Sequence, residues 1–165
     1  MVSIEYQLAR ITAQSKWADP KVIKGGVPQL TPEDVRAAVS MATSPYTYCA
    51  LMSKYCQQEN SEADLYQMLE VQSWLHYGER YPDRQISRAE NRRLAELAVL
   101  YFLAPEVRSK GGDQSLAAYM NCHRNTWGQK FKTHFHDLTK FLFELEQQGL
   151  AEVRRTMRRN SPACA

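Results

Sequence analysis

Apolar residues recur every three or four positions through most of this chain, the rhythm of helices with one buried face. Nowhere do they alternate over five residues as a half-buried strand requires. The longest stripe is Trp127, Phe131, Phe135, Leu138, Leu142 and Leu145, spaced 4, 4, 3, 4 and 3. It predicts a long C-terminal helix, with Gly149 a candidate interruption before "LAEVRRTMRRN" and a disordered tail "SPACA". Start signals agree. Thr31 and Ser44 each stand before a proline at a first helical position. Ser61 is expected to cap a helix with Leu65, Leu69 and Trp74 on roughly one side, ended by Gly78 and "YPD" at 81–83. Ser87 and Glu90 form a capping box ahead of "RAENRRLAELAVLYFLA", which stops at Pro105. A polar Gly-Gly loop follows to Asp113, and then "DQSLAAYMN". Thr12–Leu30, with two prolines and a Gly pair, reads as an irregular arm. The expected fold is all-α, a compact multi-helix domain containing a helix-turn-helix and a long C-terminal helix. Residues 1–30 are expected to form an N-terminal helix and irregular arm, and residues 31–165 the body, with the helix-turn-helix near 113–132.

Composition narrows this to a globular chain able to bury a core, at 165 residues, 44% hydrophobic and 24% charged. No apolar run is long enough to span a bilayer, so no membrane partner is expected. "MVSIEYQLAR" has no charged start followed by an apolar block, so a cytoplasmic location is expected. The four cysteines follow no disulfide rhythm and read as free, with Cys49 and Cys56 two helical turns apart on a buried face. Charge is uneven: residues 1–79 carry a net −3 and residues 80–165 a net +6. A basic C-terminal half suits a polyanion, or is simply a solvated face.

The segment Asn121–Phe135, "NCHRNTWGQKFKTHF", holds the candidate chemistry. A metal reading of it fails on geometry: Cys122 and His123 are adjacent and diverge, and His134 and His136 lie about 200° apart around a helix. No metal or cofactor is therefore expected. As a helix-turn-helix over Asp113–Lys132, the segment has Leu116, Ala117 and Met120 facing inward. Asn121 falls where the turn needs a positive φ, and Cys122 packs between the helices. Trp127 and Phe131 bury the second helix, and Ser87–Leu103 supplies the preceding one. On this register His123, Arg124, Asn125, Gly128, Gln129 and Lys132 point outward. Arg suits guanine, and Asn and Gln suit adenine. Gly128 allows closer approach to a groove wall. Lys130, Lys132 and His134 are candidates for phosphates. Arg88, Arg92 and Arg93 precede the unit, to touch the DNA backbone or merely to pair with Glu90 and Glu96. "RRTMRR" at 154–159 is either a second contact or favourable charge at a helix end. A structural hairpin with a polar face has the same pattern.

Enzyme signatures are lacking: no Gly-rich phosphate loop, H-E-x-x-H or Ser-x-x-Lys occurs. Cys122 beside His123 has the wrong geometry for a nucleophile–base pair, and Glu144 and Glu146 read as solvated helix positions.

"DQSLAAYMNCHRNTWGQKFKTHF" preceded by "ISRAENRRLAELAVLYFLAPEV", in a chain of this size, resembles the lambdoid-phage late-gene antitermination proteins of the Q type, most closely their phage 21-like branch. The resemblance covers about the last half of the chain. It implies binding to double-stranded DNA beside a late promoter, and loading onto paused host RNA polymerase holoenzyme with its sigma factor. Suppression of downstream termination follows, by narrowing of the RNA-exit channel. It also implies residence in the host bacterial cell. Arg124, Asn125, Gln129 and Lys132 would read the DNA, and the acidic half and the Thr12–Leu30 arm are candidates for polymerase contact. A simple helix-turn-helix regulator, a small DNA-packaging subunit and a helical interaction protein without nucleic acid remain alternatives.

Overall fold

The computed structural model describes residues 44–56, 59–80, 86–110 and 112–160, together with positions 37, 39 and 40. The expected N-terminal arm, the Thr31 cap, the "YPD" segment, the 1–30/31–165 division and the tail lie outside the described residues. Within them the chain is all-α: α1 (Pro45–Cys56), α2 (Glu59–Arg80), α3 (Arg88–Leu103), α4 (Pro105–Lys110), α5 (Asp113–Tyr119), α6 (Arg124–Thr126), a single π-helical turn (Trp127–Phe131) and α7 (Lys132–Asn160). None of these helices is long and apolar enough to cross a membrane.

α7 is the spine. Its stripe is buried as the spacing requires, from Trp127 and Phe131 through Phe135, Leu138, Leu142 and Leu145 to Leu150 and Val153. α3 and α1 pack along it, and α2 closes over both. α3 is apolar on most of its circumference because it lies between α2 and α7: Leu94, Ala95, Leu97, Ala98, Val99 and Phe102 are all buried. A second, smaller cluster of Val39, Leu51, Met52, Leu150 and Val153 forms where α1 meets the far end of α7.

Several local features follow the sequence. The Ser87–Glu90 capping box is complete: the Glu90 N–H donates to Ser87 Oγ at 3.2 Å, and the Ser87 N–H donates to Glu90 Oε2 at 2.7 Å. α3 ends where Ala104 turns extended ahead of Pro105. Others depart from it. The expected polar loop after Pro105 is partly helical, because the proline starts α4 at a position where its missing N–H costs nothing. From α4, Arg108 Nη1 donates to the carbonyls of Phe102 (2.6 Å) and Tyr101 (3.1 Å), satisfying the end of α3 with a cation. Ser61 lies inside α2, not at its cap. Trp74 is exposed; the inward position beside it is taken by Ser73.

Gly149 does not interrupt α7. A Cβ there would overlap Thr47 Cγ2 and come within 2.7 Å of Leu51 Cδ1, so this glycine lets α1 and α7 touch backbone to side chain. Glu146, expected in solvent, is buried beside it. It accepts from Lys54 Nζ at 2.7 Å and from the Tyr55 hydroxyl, and Lys54 lies 4.4 Å from the Phe102 ring centroid. Removing one member of such a pair strands the other. Lys54→Ala is expected to lower unfolding free energy by about 3 kcal/mol, and Lys54→Met with Glu146→Leu to recover most of it. Urea denaturation of the three proteins measures both.

Candidate nucleic-acid interface

The turn between α5 and α6 is built as the sequence requires. Asn121 has φ 52°, the left-handed region that Asn tolerates better than any other residue with a Cβ. Its N–H donates to Ala118 O at 3.0 Å, and the Cys122 N–H donates to Ala117 O at 3.0 Å. These two bonds are the Schellman closure of a helix C-terminus, and half-buried Cys122 supplies its apolar contact. Leu116, Ala117 and Met120 face the core. The chain then re-enters helix at Arg124, with His123 as cap: His123 Nδ1 accepts the Asn125 N–H at 3.3 Å.

α6 continues through the π turn into α7, so Arg124 to Asn160 is one uninterrupted helical rod. The π turn has a sequence cause. Trp127, Phe131 and Phe135 are spaced by four, and eight residues of regular α-helix overshoot two turns by about 80°. Widening one turn, with the Lys132 N–H donating to Trp127 O, keeps all three rings in the core. Trp127 and Phe135 meet at 5.3 Å between centroids. The Trp127 indole N–H also donates to Asp113 Oδ1 at 3.2 Å, fastening the start of α5 to the rod.

His123, Arg124, Asn125, Gly128 and Gln129 are exposed on one end of this unit, as expected. The two lysines are not free. Lys132 Nζ donates to Asp113 Oδ2 at 2.7 Å, and Lys130 Nζ donates to Glu90 Oε1 at 2.8 Å. The Lys132 hydrogen bond, that of Trp127, and the nearby charges of Lys132 and Arg124 hold the Asp113 carboxyl below its ordinary range. Burial alone would raise Glu90, but the Lys130 and Ser87 hydrogen bonds outweigh it and lower the group. Both acids are thus anionic clamps that position the rod. The sequence reading missed them because their partners lie 19 and 40 residues away; an acid at a helix start is their one local signal. Burial, with Glu90 beside it and against the opposing pull of Lys130, pushes the Cys122 thiol up from its ordinary value.

Three sequence expectations need correction or a new setting. His134 is not a phosphate contact: it is fully buried between α2, α3 and α7. Its Nε2 lies 2.9 Å from Ser73 Oγ; Ser73 donates to Asn91 Oδ1 at 2.6 Å, and Asn91 Nδ2 donates to Glu70 O at 3.0 Å. Arg88 lines an open groove with Val71, Trp74 and Leu75. Arg92 pairs with Glu96 at 3.2 Å and borders another groove with Tyr66 and Tyr119. His134 also brings together the one candidate metal cluster among the described residues: ligand atoms of His76, His134 and Asp137 lie within 4.8 Å of one another.

The family model for phage antitermination protein Q matches residues 35–164, which takes in every described helix. The chain belongs to that family. Its members are non-enzymatic transcription factors of phage antitermination, with DNA and RNA polymerase as their partners in general terms. No curated protein and no solved structure matches the chain.

His134 gives this end of the molecule a pH response. Burial, reinforced by His76 and by Arg80, lowers its pKa from 6.5 to about 4, against the opposing pull of Asp137 and of the Ser73 backbone. The unfolded chain binds the proton more tightly than the folded one, so stability is full above pH 6.5 and is lost as pH falls toward 4. The expected loss is roughly 1–3 kcal/mol. Urea midpoints taken from pH 7.5 to 4 in wild type and His134→Gln check this: the variant should lose that part of the slope.

Proposed function

We propose that this chain is an antiterminator of the phage 21-like branch. It binds a double-stranded DNA element beside a late promoter, engages RNA polymerase holoenzyme paused there, and suppresses termination downstream. In this reading Asp113–Lys132 is a helix-turn-helix and the exposed start of the rod enters the major groove. Arg124 makes the bidentate contact to guanine, and Asn125 and Gln129 pair with adenine. His123 and the outer part of Lys132 reach phosphates.

The observation that carries the reading is the left-handed Asn121 turn, which sets a capped helix start with Arg124, Asn125 and Gln129 all exposed. Family membership supplies antitermination; "DQSLAAYMNCHRNTWGQKFKTHF" supports the branch. Terminator readthrough with purified polymerase on a template carrying the late promoter is the direct test. Readthrough that depends on the promoter-adjacent element is expected. DNA binding without readthrough would favour a simple regulator.

Two substitutions address the DNA face. Arg124→Ala is expected to weaken specific binding by about 1–3 kcal/mol and relax preference at one base pair. Gly128→Ala separates stability from binding. Nothing lies within 4 Å of the added Cβ, so folding stability should rise by about 0.5–1 kcal/mol while DNA affinity falls. Competition binding against a mutated-site library, alongside thermal melts, reads both effects.

A further inference from the structure

We propose that His76, His134 and Asp137 form a binding site for a divalent first-row transition-metal ion, Zn2+ above all, which ties α2 to the long rod of α7. The proposal does not depend on how the DNA face is read. Asp137 follows His134 by three residues on α7, so the two share a helix face. His76 reaches the same place from α2, with its ring nearly parallel to that of His134, at 21° and 5.9 Å between centroids. One ligand atom of each lies within 4.8 Å of the others.

The hydrogen-bond chain behind His134 fixes what it offers. Asn91 Nδ2 donates to Glu70 O, so its Oδ1 faces Ser73 and can only accept. The single Ser73 proton is spent on that bond, so Ser73 Oγ accepts from His134 and the imidazole carries its proton on Nε2. The lone pair is left on Nδ1, in a residue with no solvent exposure, and this atom has no hydrogen-bond partner. A buried acceptor left unmade costs free energy, and such groups call for an explanation. A ring nitrogen whose opposite N–H is anchored to a fixed oxygen is how proteins orient a histidine toward a metal.

Asp137 is half-committed. Arg80 Nη1 donates to its Oδ2, which leaves Oδ1 open. Without an ion, Arg80 supplies the positive charge the carboxylate needs, and it therefore competes with metal. Two imidazoles and one carboxylate suit Zn2+ or Co2+ far better than Ca2+ or Mg2+, which want oxygen ligands. The exposed ring of His76 gives the ion a way in, and a water completes the coordination.

The full chain, stripped with EDTA and dialysed, is titrated with Zn2+ by calorimetry, and with Co2+ while its visible absorption is followed. One equivalent is expected to bind, with the Co2+ spectrum of a four-coordinate site and a higher Tm in Zn2+. His76→Ala, at an exposed position where folding is not at stake, and Asp137→Asn should each weaken binding at least about tenfold. Arg80→Gln should tighten it. Cys122→Ser should leave it unchanged. Failure to take up one equivalent would overturn the proposal, as would uptake undiminished in His76→Ala or abolished by Cys122→Ser.

Discussion

Everything in this fold answers to one demand: a helical rod of 37 residues, Arg124 to Asn160, carries an apolar stripe that must be covered along nearly its whole length. No single helix can cover it. α3 covers its first half, with α5 against the π turn, and α1 covers the second, brought in close by Gly149. The hydrophobic term is large but non-directional. The directional work is done by a few polar links placed along the rod: Asp113 and Glu90 near its start, Ser73, itself held by Asn91, on His134 next, and Lys54 on Glu146 toward its far end. Each link lies between elements that the apolar contacts alone would leave free to slide.

The same constraint generates the candidate interface. Because Trp127, Phe131 and Phe135 are all drawn into the core, the rod widens by one π turn beside its start, and the residues between those aromatics are pushed outward. Gly128 and Gln129 are exposed for that reason. The left-handed Asn121 sets the other boundary, ending α5 so that the next helix begins at Arg124, capped by His123. The edge at Arg124, Asn125 and Gln129 is therefore fixed from both sides by backbone geometry, so that, in the proposed reading, a recognition surface would be held at little conformational cost on binding.

What the sequence made legible was local. Periodicity located the stripe, the capping box located the start of α3, and the unusual conformation of Asn121 followed from its turn position when Asp113–Lys132 is aligned as a helix-turn-helix. Long-range polar pairing was not legible. His134 looked like an exposed phosphate ligand because it stands among Lys132, Thr133 and His136. Its partner Ser73 is 61 residues distant, and nothing nearby announces it or Asn91, which holds Ser73. Glu146 was misread for the same reason, its partners being 92 and 91 residues away. Trp74 shows the converse error: an apolar residue near an apolar stripe was assigned inward, when the buried polar network had already claimed the position beside it for Ser73.

The ion pairs at Lys130 and Lys132 change how the proposed interface would work. Counting basic side chains near the turn suggests a surface held to DNA chiefly by phosphate neutralisation, and each lysine so used would release a counterion and steepen the salt dependence. A lysine already paired to a carboxylate contributes less, since contact with phosphate must replace an interaction the protein makes by itself. Lys130, half-buried against the Phe131 ring and bound to Glu90, is the more committed of the two. Lys132, 40% exposed at its side chain, can share its remaining donors. In the proposed interface the balance would thus shift from general attraction toward edge contacts by Arg124, Asn125 and Gln129. A protein that must find one element among many similar DNA surfaces gains more from that distribution than from a larger positive charge, because phosphate attraction strengthens every site equally while edge contacts separate one site from the rest.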